Sequence, residues 1–139
     1  MPKTNNLVVC GNPPYQKPDG GHKNSATPIY HLFINEVLKL EPRYHSFVVP
    51  SRWMAGGKGL DKFRAKMMKD KHLRVIKHFP GSFSVFGPSA KIDGGCNYYL
   101  WDREYTGKCS FNGVHRHLDE YDIILTDNEA VSILDKVLS

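Results

Sequence analysis

The sequence has 139 residues, a net charge of +5 at neutral pH and a hydrophobic share of 40%. This composition is typical of one folded domain with its own core, and it excludes a disordered chain. No apolar run is long enough to cross a bilayer, and the N-terminal residues lack the apolar stretch of a signal peptide. Three cysteines at scattered spacings give no disulfide framework or zinc cluster. We therefore expect a single reduced, cytoplasmic domain that covers residues 1–139 and has no membrane partner.

The first predicted element is a buried strand at residues 7–10, a continuous apolar run that a glycine ends. The polar, glycine-rich stretch 16–26 follows, and we expect no core element in it. Thr27 and Pro28 have the residue types of a helix N-cap and of the first helical position. The helix that they open carries apolar residues at helical spacing as far as Leu38. This part of the chain is therefore predicted to run strand, loop, helix.

The rest of the chain continues the alternation of strands and helices. In chain order, we predict a strand at 46–50, a helix at 60–68, strands at 73–79 and 97–101, a hairpin near 108–114, and a last helix that a capping box from Thr126 to Glu129 opens. Alternating strands and helices predict a mostly parallel sheet with right-handed crossovers. The hairpin is expected to close this sheet with antiparallel strands.

The positive charge is concentrated in residues 58–77, which hold eight lysines and arginines. A polyanion is the natural partner of such a surface. The alternative is a solvated helix flank, which the charge alone favours. Charge therefore permits a nucleic-acid partner but does not establish one.

The tetrapeptide Asn12-Pro13-Pro14-Tyr15 directly follows the first predicted strand. Ligands of open α/β sheets bind beyond the carboxyl ends of the strands. Two consecutive prolines stiffen the loop and leave carbonyl oxygens free, the Asn12 side chain adds an acceptor, and Tyr15 adds a flat ring.

This set of groups suits the exocyclic amino group of a planar base. Asn12 Oδ1 and the Pro13 carbonyl would accept its hydrogens and aim the nitrogen lone pair at an electrophilic methyl group, while Tyr15 stacks on the ring. A base in duplex DNA must first flip into the pocket. The other interpretation is a proline turn without catalytic function.

The strand followed by Asn-Pro-Pro-Tyr resembles the catalytic motif of methyltransferases that act on the amino group of adenine. Segments 47–53, 56–64 and 94–103 resemble the adenine-specific DNA methyltransferases of bacterial and phage type II restriction–modification systems. The resemblance covers most of the chain. It implies DNA as the substrate, S-adenosylmethionine as the cofactor and half of a three-layer, Rossmann-like methyltransferase sheet.

The resemblance also implies further contacts with DNA. Phe86 falls in a segment that resembles the family's loop for a second contact with the flipped base; the alternative is a core phenylalanine. Arg52, Lys58 and Lys62 are candidates for phosphate contacts, and solvated cations are the other interpretation.

The part that such enzymes use to bind S-adenosylmethionine is missing from this sequence. The family's glycine-rich turn would lie upstream of the catalytic loop, where only eleven residues precede Asn12. The glycines at 56–59 lack the order of a phosphate-binding loop. We therefore expect a catalytic-loop half, without the cofactor-binding half or the target-recognition region, that is inactive alone. The exposed edge of its first strand should pair with the missing half or with a second copy of the chain.

Other constellations are weaker. His115 and His117 form a close pair of histidines, but no second cluster completes a metal site, so we expect surface histidines and no metal. Four aromatic residues could stack on bases, but core packing is favoured because both faces of an inner strand should be buried: Trp53, Tyr98, Tyr99 and Trp101. The rival functions are methylation of RNA bases or of protein glutamine, and a non-catalytic DNA-binding or assembly remnant.

Overall fold

The computed structural model describes residues 5–18, 26–81 and 94–139. Eight strands and three helices form in this part of the chain. In order they are β1 (Val8–Gly11), β2 (Gln16–Pro18), β3 (Ala26–Pro28), α1 (Tyr30–Lys39), β4 (Tyr44–Pro50), α2 (Asp61–Lys69), β5 (Leu73–Phe79), β6 (Cys96–Asp102), β7 (Cys109–Phe111), β8 (Val114–Arg116) and α3 (Asn128–Leu138), with short 3₁₀ turns at Ser51–Met54 and Leu118–Glu120. Every predicted strand and helix is therefore present.

Six strands form one sheet in the order β1-β4-β6-β5-β7-β8. Strand β1 is parallel to β4, and β5 is parallel to β7. Strand β6 lies between β4 and β5 and is antiparallel to both, and β8 closes the sheet antiparallel to β7. Four of the six strands thus run in the same direction, which confirms the mostly parallel α/β sheet with its closing hairpin.

The start of α1 differs from its prediction. Thr27 and Pro28 belong to β3, where they pair with Lys17 and Gln16 of β2. Helix α1 begins at Tyr30 and has no side-chain cap. The predicted N-cap at Thr27 is wrong because pairing with β2 holds this residue in an extended conformation.

The start of α3 is displaced by one residue from the predicted capping box. The N-cap is Asp127, whose carboxylate accepts a hydrogen bond of 2.9 Å from the Glu129 backbone N–H. Thr126 is therefore not the cap. Aspartate and threonine are both good N-cap residues, so residue types alone do not choose between these two neighbours.

Helices α1 and α2 cover the same face of the sheet. Both crossovers move in one direction across the sheet, so right-handed connections place their helices on one side. The rings of Tyr30 on α1 and Phe63 on α2 meet edge to face at 6.5 Å, and both belong to the one core cluster with Phe47, Ile76 and Tyr99 of the sheet. Of the predicted three layers, the described residues show the sheet and the helix layer that α1 and α2 form. Among them, no helix is long and apolar enough to span a membrane.

Tyr98, on the other face of the sheet, corrects one prediction. Trp53, Tyr99 and Trp101 are buried as expected, but Tyr98 is 40% exposed. Tyr98 lies on the face opposite α1 and α2, 6.0 Å from the ring of Phe79. Tyr98 is therefore not a core residue, although β6 is an inner strand of the sheet.

A buried carboxylate joins the strands at the end of the sheet away from the Asn12 loop. Asp102 accepts hydrogen bonds from the guanidinium groups of Arg43 and Arg74. Burial pushes the pKa of Asp102 upward, but the Glu104 N–H and these two arginines outweigh it, so its pKa lies below the usual value. This ion-pair network ties β6 to the start of β4 and to β5.

A buried histidine lies in the core of the sheet. His45 is fully buried, with the ring of Phe47 at 4.4 Å and the Tyr99 hydroxyl 3.1 Å from its Nε2. Burial lowers the pKa of His45 to about 4, because a charged imidazole is poorly solvated there. The folded protein therefore keeps this histidine neutral at a pH where the unfolded chain takes up a proton.

Acid should destabilise the fold between about pH 6.5, the pKa of an unfolded histidine, and about pH 4. Across this window the unfolded state binds the additional proton, so the free energy of unfolding falls by up to about 3 kcal/mol as the pH drops. Urea unfolding at a series of pH values measures this slope. His45→Leu should flatten the curve, whereas His115→Gln, at an exposed histidine, should leave it unchanged. Equal slopes in all three proteins would contradict the assignment.

Candidate active site

The loop Asn12-Pro13-Pro14-Tyr15 leaves the carboxyl end of β1 and leads directly into β2. Asn12 and Pro14 are exposed, Pro13 is buried and Tyr15 is half-buried. No hydrogen bond within the described residues occupies the Pro13 carbonyl oxygen. The loop thus offers an exposed amide side chain and an unused backbone acceptor at the edge of the sheet where the parallel strands end.

Tyr15 anchors this loop to the start of α1. The Ile29 N–H donates a 3.0 Å hydrogen bond to the Tyr15 carbonyl oxygen, and the Tyr15 ring meets the Tyr30 ring edge to face at 6.5 Å. The Tyr15 hydroxyl is buried and makes no hydrogen bond of normal geometry with any residue that the structure describes. Burial raises the pKa of Tyr15, the adjacent Cys96 thiol raises it further, and the Asn12 side chain lowers it. Asn12, Tyr15, Tyr30 and Cys96 therefore lie close together.

Tyr30 connects the loop with the end of β4. It is 2% exposed, and its hydroxyl faces the Trp53 backbone without normal hydrogen-bond geometry. Burial raises the pKa of Tyr30 well above its usual value, while the Trp53 backbone and the positive charge of Arg52 act in the opposite direction. Arg52, predicted from the sequence as a phosphate contact, is exposed and lies within electrostatic reach of this tyrosine. The structure thus places Arg52 at the same edge as the Asn12 loop.

A buried polar cluster joins the carboxyl ends of β4 and β5 through the start of β6. Ser51 Oγ lies 2.8 Å from His78 Nδ1 and accepts a 3.1 Å hydrogen bond from Asn97 Nδ2. Burial lowers the pKa of His78, because a charged imidazole is poorly solvated there. Asn97 is fully buried, and its Oδ1 has no partner among the described residues.

Sequence reasoning missed this cluster. His78 and Asn97 are polar residues at inward-facing positions of otherwise apolar strands, and such a position is the signal that could have found them. The cluster fixes Ser51, and with it the turn that carries Arg52.

Gly95 allows the close packing at this place. Its φ is +77°, and a Cβ atom there would lie 2.0 Å from the Phe79 carbonyl oxygen, so only glycine fits. Its own carbonyl accepts a 3.0 Å hydrogen bond from the Ser51 N–H. Gly95 therefore brings the end of β5, the start of β6 and the turn after β4 together.

The two predicted lysines lie further from the Asn12 loop. Lys58 is exposed in the loop before α2, and Lys62 is exposed in the first turn of that helix. The loop is braced by Gly57, at φ +94°, where a Cβ atom would clash with Leu60 Cδ1 at 2.4 Å. The structure thus places both lysines on well-defined backbone at the start of α2. It does not bring Lys62 into contact with Asn12 or Tyr15.

Two further predictions have different outcomes. Phe86 lies outside the described residues, so its contact with the flipped base stays a prediction. His115 and His117 are both exposed, as expected of surface histidines. Within the described ranges there is no group of three histidine, cysteine or acidic side chains that could hold a metal.

Comparison with known proteins places these features in a family. Residues 7–86, more than half of the chain, match the model of the Eco57I restriction-modification methylase family. A Mycoplasma pneumoniae protein named as an uncharacterized adenine-specific methylase is 34% identical over 108 residues, which cover 76% of this chain and 25% of that protein.

A solved structure shares the fold. A chain from a study of complex assembly and conformational transition in the type I R-M system superposes with a TM-score of 0.52 at 20% identity, over 73% of this chain and 22% of that one. The chain therefore spans about a quarter of the length of either relative.

The buried hydroxyls of Tyr30 and Tyr99 should respond in opposite ways to removal. Tyr30→Phe should raise the free energy of unfolding by about 1 kcal/mol, because a buried hydroxyl without a normal partner carries a desolvation penalty. Tyr99→Phe should lower it by about 1 kcal/mol, because the Tyr99 hydroxyl has His45 as a partner. Urea unfolding of the two variants measures both changes. Equal destabilisation would show that the Tyr30 hydroxyl does have a partner.

Proposed function

The chain belongs to the Eco57I restriction-modification methylase family, and we propose that it carries the residues that receive the target base in an adenine-specific DNA methyltransferase. The observation that carries this proposal is the exposed Asn12 beside the anchored Tyr15 at the carboxyl end of β1. The name of the Mycoplasma pneumoniae relative supports adenine as the target.

In this proposal the Asn12 loop orients the exocyclic amino group of a flipped adenine. Asn12 Oδ1 and the Pro13 carbonyl accept the two amino hydrogens, so that the nitrogen lone pair leaves conjugation with the ring and points at the methyl group. The Pro13 carbonyl, to which no described residue donates a hydrogen bond, and the exposed Asn12 support these roles. No base of unusual pKa is needed, because positioning and hydrogen bonding lower the barrier.

Tyr15 holds the adenine ring by stacking, and its own position comes from Tyr30 and Ile29. Because its hydroxyl is buried, the part of Tyr15 that remains for a base is the ring. Phe86 is proposed as the second contact with the base. Arg52, Lys58 and Lys62 are proposed to bind DNA phosphates, and their exposure on one side of the edge supports this.

S-adenosylmethionine supplies the methyl group in methylases. The described residues do not form a binding site that suits this cofactor. The parallel strand β1 is followed by two prolines rather than by a glycine-rich turn, and the one carboxylate near the α2 end of this edge, Asp61, is paired with Arg64 at 2.7 Å. We propose that the cofactor is bound by residues outside this chain. The match to only a quarter of the Mycoplasma pneumoniae relative supports such a division.

The outer edge of β1 is the proposed junction with that cofactor-binding part. β1 pairs with β4 on one side and with no described strand on the other. Leu7 and Val8 are 41% and 59% exposed along this edge, so a partner would bury apolar surface there. Where the cofactor-binding part is absent, a second copy of the chain is the alternative partner for the outer edge of β1. Because the proposed substrate is DNA, we also propose a cytoplasmic location for this chain.

The test is a chimera in which this chain replaces the matching 108 residues of the Mycoplasma pneumoniae relative. Methyl transfer from labelled S-adenosylmethionine to unmethylated DNA is then measured. Asn12→Ala should lower the rate by about 100-fold or more, because it removes a group that stabilises the transition state. Tyr15→Phe should keep most of the activity, since it keeps the ring, and Tyr15→Ala should lose it.

The matched control is Asn6→Ala, an exposed asparagine just before β1, which should not change the rate. The unmodified relative serves as the positive control. Full activity in Asn12→Ala, or label found in cytosine rather than adenine after digestion of the DNA to nucleosides, would overturn the proposal.

A further inference from the structure

Helix α2 carries a row of lysines on its exposed side. Lys62, Lys66 and Lys69 follow one another at spacings of four and three residues, so they lie on one narrow stripe of the helix. All three are exposed, while Phe63 and Met67 bury the other side of the helix in the core. We call these three residues the lysine stripe.

The charge of the lysine stripe is not neutralised within the described part of the chain. None of its three residues forms an ion pair there, and Lys66 Nζ bonds only the neutral Asn35 side chain, at 3.3 Å. The single acidic residue of α2, Asp61, is paired with Arg64, which also donates to the backbone carbonyls of Trp53 and Gly56. Arg64 therefore has a structural role that the lysines of the stripe do not share.

Such a row opposes helix formation, because like charges four residues apart repel each other. The repulsion is relieved when an anionic surface lies along the stripe. The distribution of charge over the chain also favours an anionic partner for the part that contains α2. Residues 42–81 hold ten lysines and arginines against two acidic residues, whereas residues 102–139 hold four against eight. One part of the chain is thus basic and the other acidic.

We propose that the lysine stripe is a second contact with the DNA backbone, continuous with Arg52 and Lys58 at the catalytic edge. From Lys62 to Lys69 the helix rises by about 10 Å. This length corresponds to roughly three intervals between successive phosphates of one strand, each about 3.4 Å along the duplex axis. The stripe therefore holds a strand that runs past the target base along the flank of α2. The inference rests on the proposed DNA substrate but not on the chemistry of Asn12.

The test is the salt dependence of binding to an unmethylated duplex, measured with this chain by fluorescence anisotropy. Lys66→Gln with Lys69→Gln removes two charges at exposed helix positions, where glutamine keeps the helix stable. The matched control, Lys108→Gln with Lys136→Gln, removes two exposed charges from the acidic part of the chain. The slope of log affinity against log salt should become shallower by about 0.9 for each phosphate that the protein no longer neutralises. We expect this slope to become shallower by nearly two in the stripe variant and to stay unchanged in the control.

Three results would overturn the inference. They are no binding by the unaltered chain at low salt, equal slopes in the unaltered chain and the stripe variant, and the same change in both double variants. If the stripe variant instead abolishes self-association and leaves the DNA slope unchanged, the stripe binds the acidic part of a second copy. Asn12→Ala should bind DNA with an unaltered slope. This result distinguishes failure of the hypothesis that the lysine stripe binds DNA from failure of the proposed methyl transfer.

Discussion

The candidate active site depends on the packing of Tyr15 against Tyr30. The loop that carries Asn12 follows an edge strand of four residues. So short an edge strand does little to fix the position of the loop that follows it. The loop is instead held by the Ile29–Tyr15 hydrogen bond and by the edge-to-face contact of the two tyrosine rings, one of them buried in the core at the start of α1. The exposed Asn12 is therefore positioned by the helix layer as much as by β1.

The same core organises the rest of the catalytic edge. Tyr30 also touches Phe63 of α2, and the turn after β4 is fixed by the Ser51–His78–Asn97 cluster and by Gly95. These contacts connect five elements, which are α1, α2, the turn after β4, β5 and β6, so that Arg52 and the Asn12 loop end at one place. On the opposite face and along β1, apolar surface remains open among the described residues. Core contacts thus hold the side of the site that is proposed to receive the base, whereas the outer edge of β1, the proposed junction with a cofactor-binding part, pairs with no described strand.

Much of the fold can be predicted because its signals are local. Apolar runs ended by glycine or proline give the strands, helical spacing gives α1 and α2, and the Asn-Pro-Pro-Tyr motif gives the loop. The predictions are wrong where the tertiary fold decides the outcome, as at Thr27, which pairs with β2, and at Tyr98, which stays 40% exposed on the face opposite α1 and α2. The Ser51–His78–Asn97 cluster needs the register of three strands, and the contact between Tyr15 and Tyr30 needs the position of α1. Neither follows from residue types alone.

The central claim is that the outer edge of β1 is the junction where the cofactor-binding part completes the enzyme. Hydrogen exchange of the β1 amides tests it most directly, in the isolated chain and in the chimera with the Mycoplasma pneumoniae relative. We expect the amides of Val8–Gly11 that point away from β4 to exchange rapidly in the isolated chain and to become protected in the chimera. The same amides unprotected in an active chimera would contradict this claim.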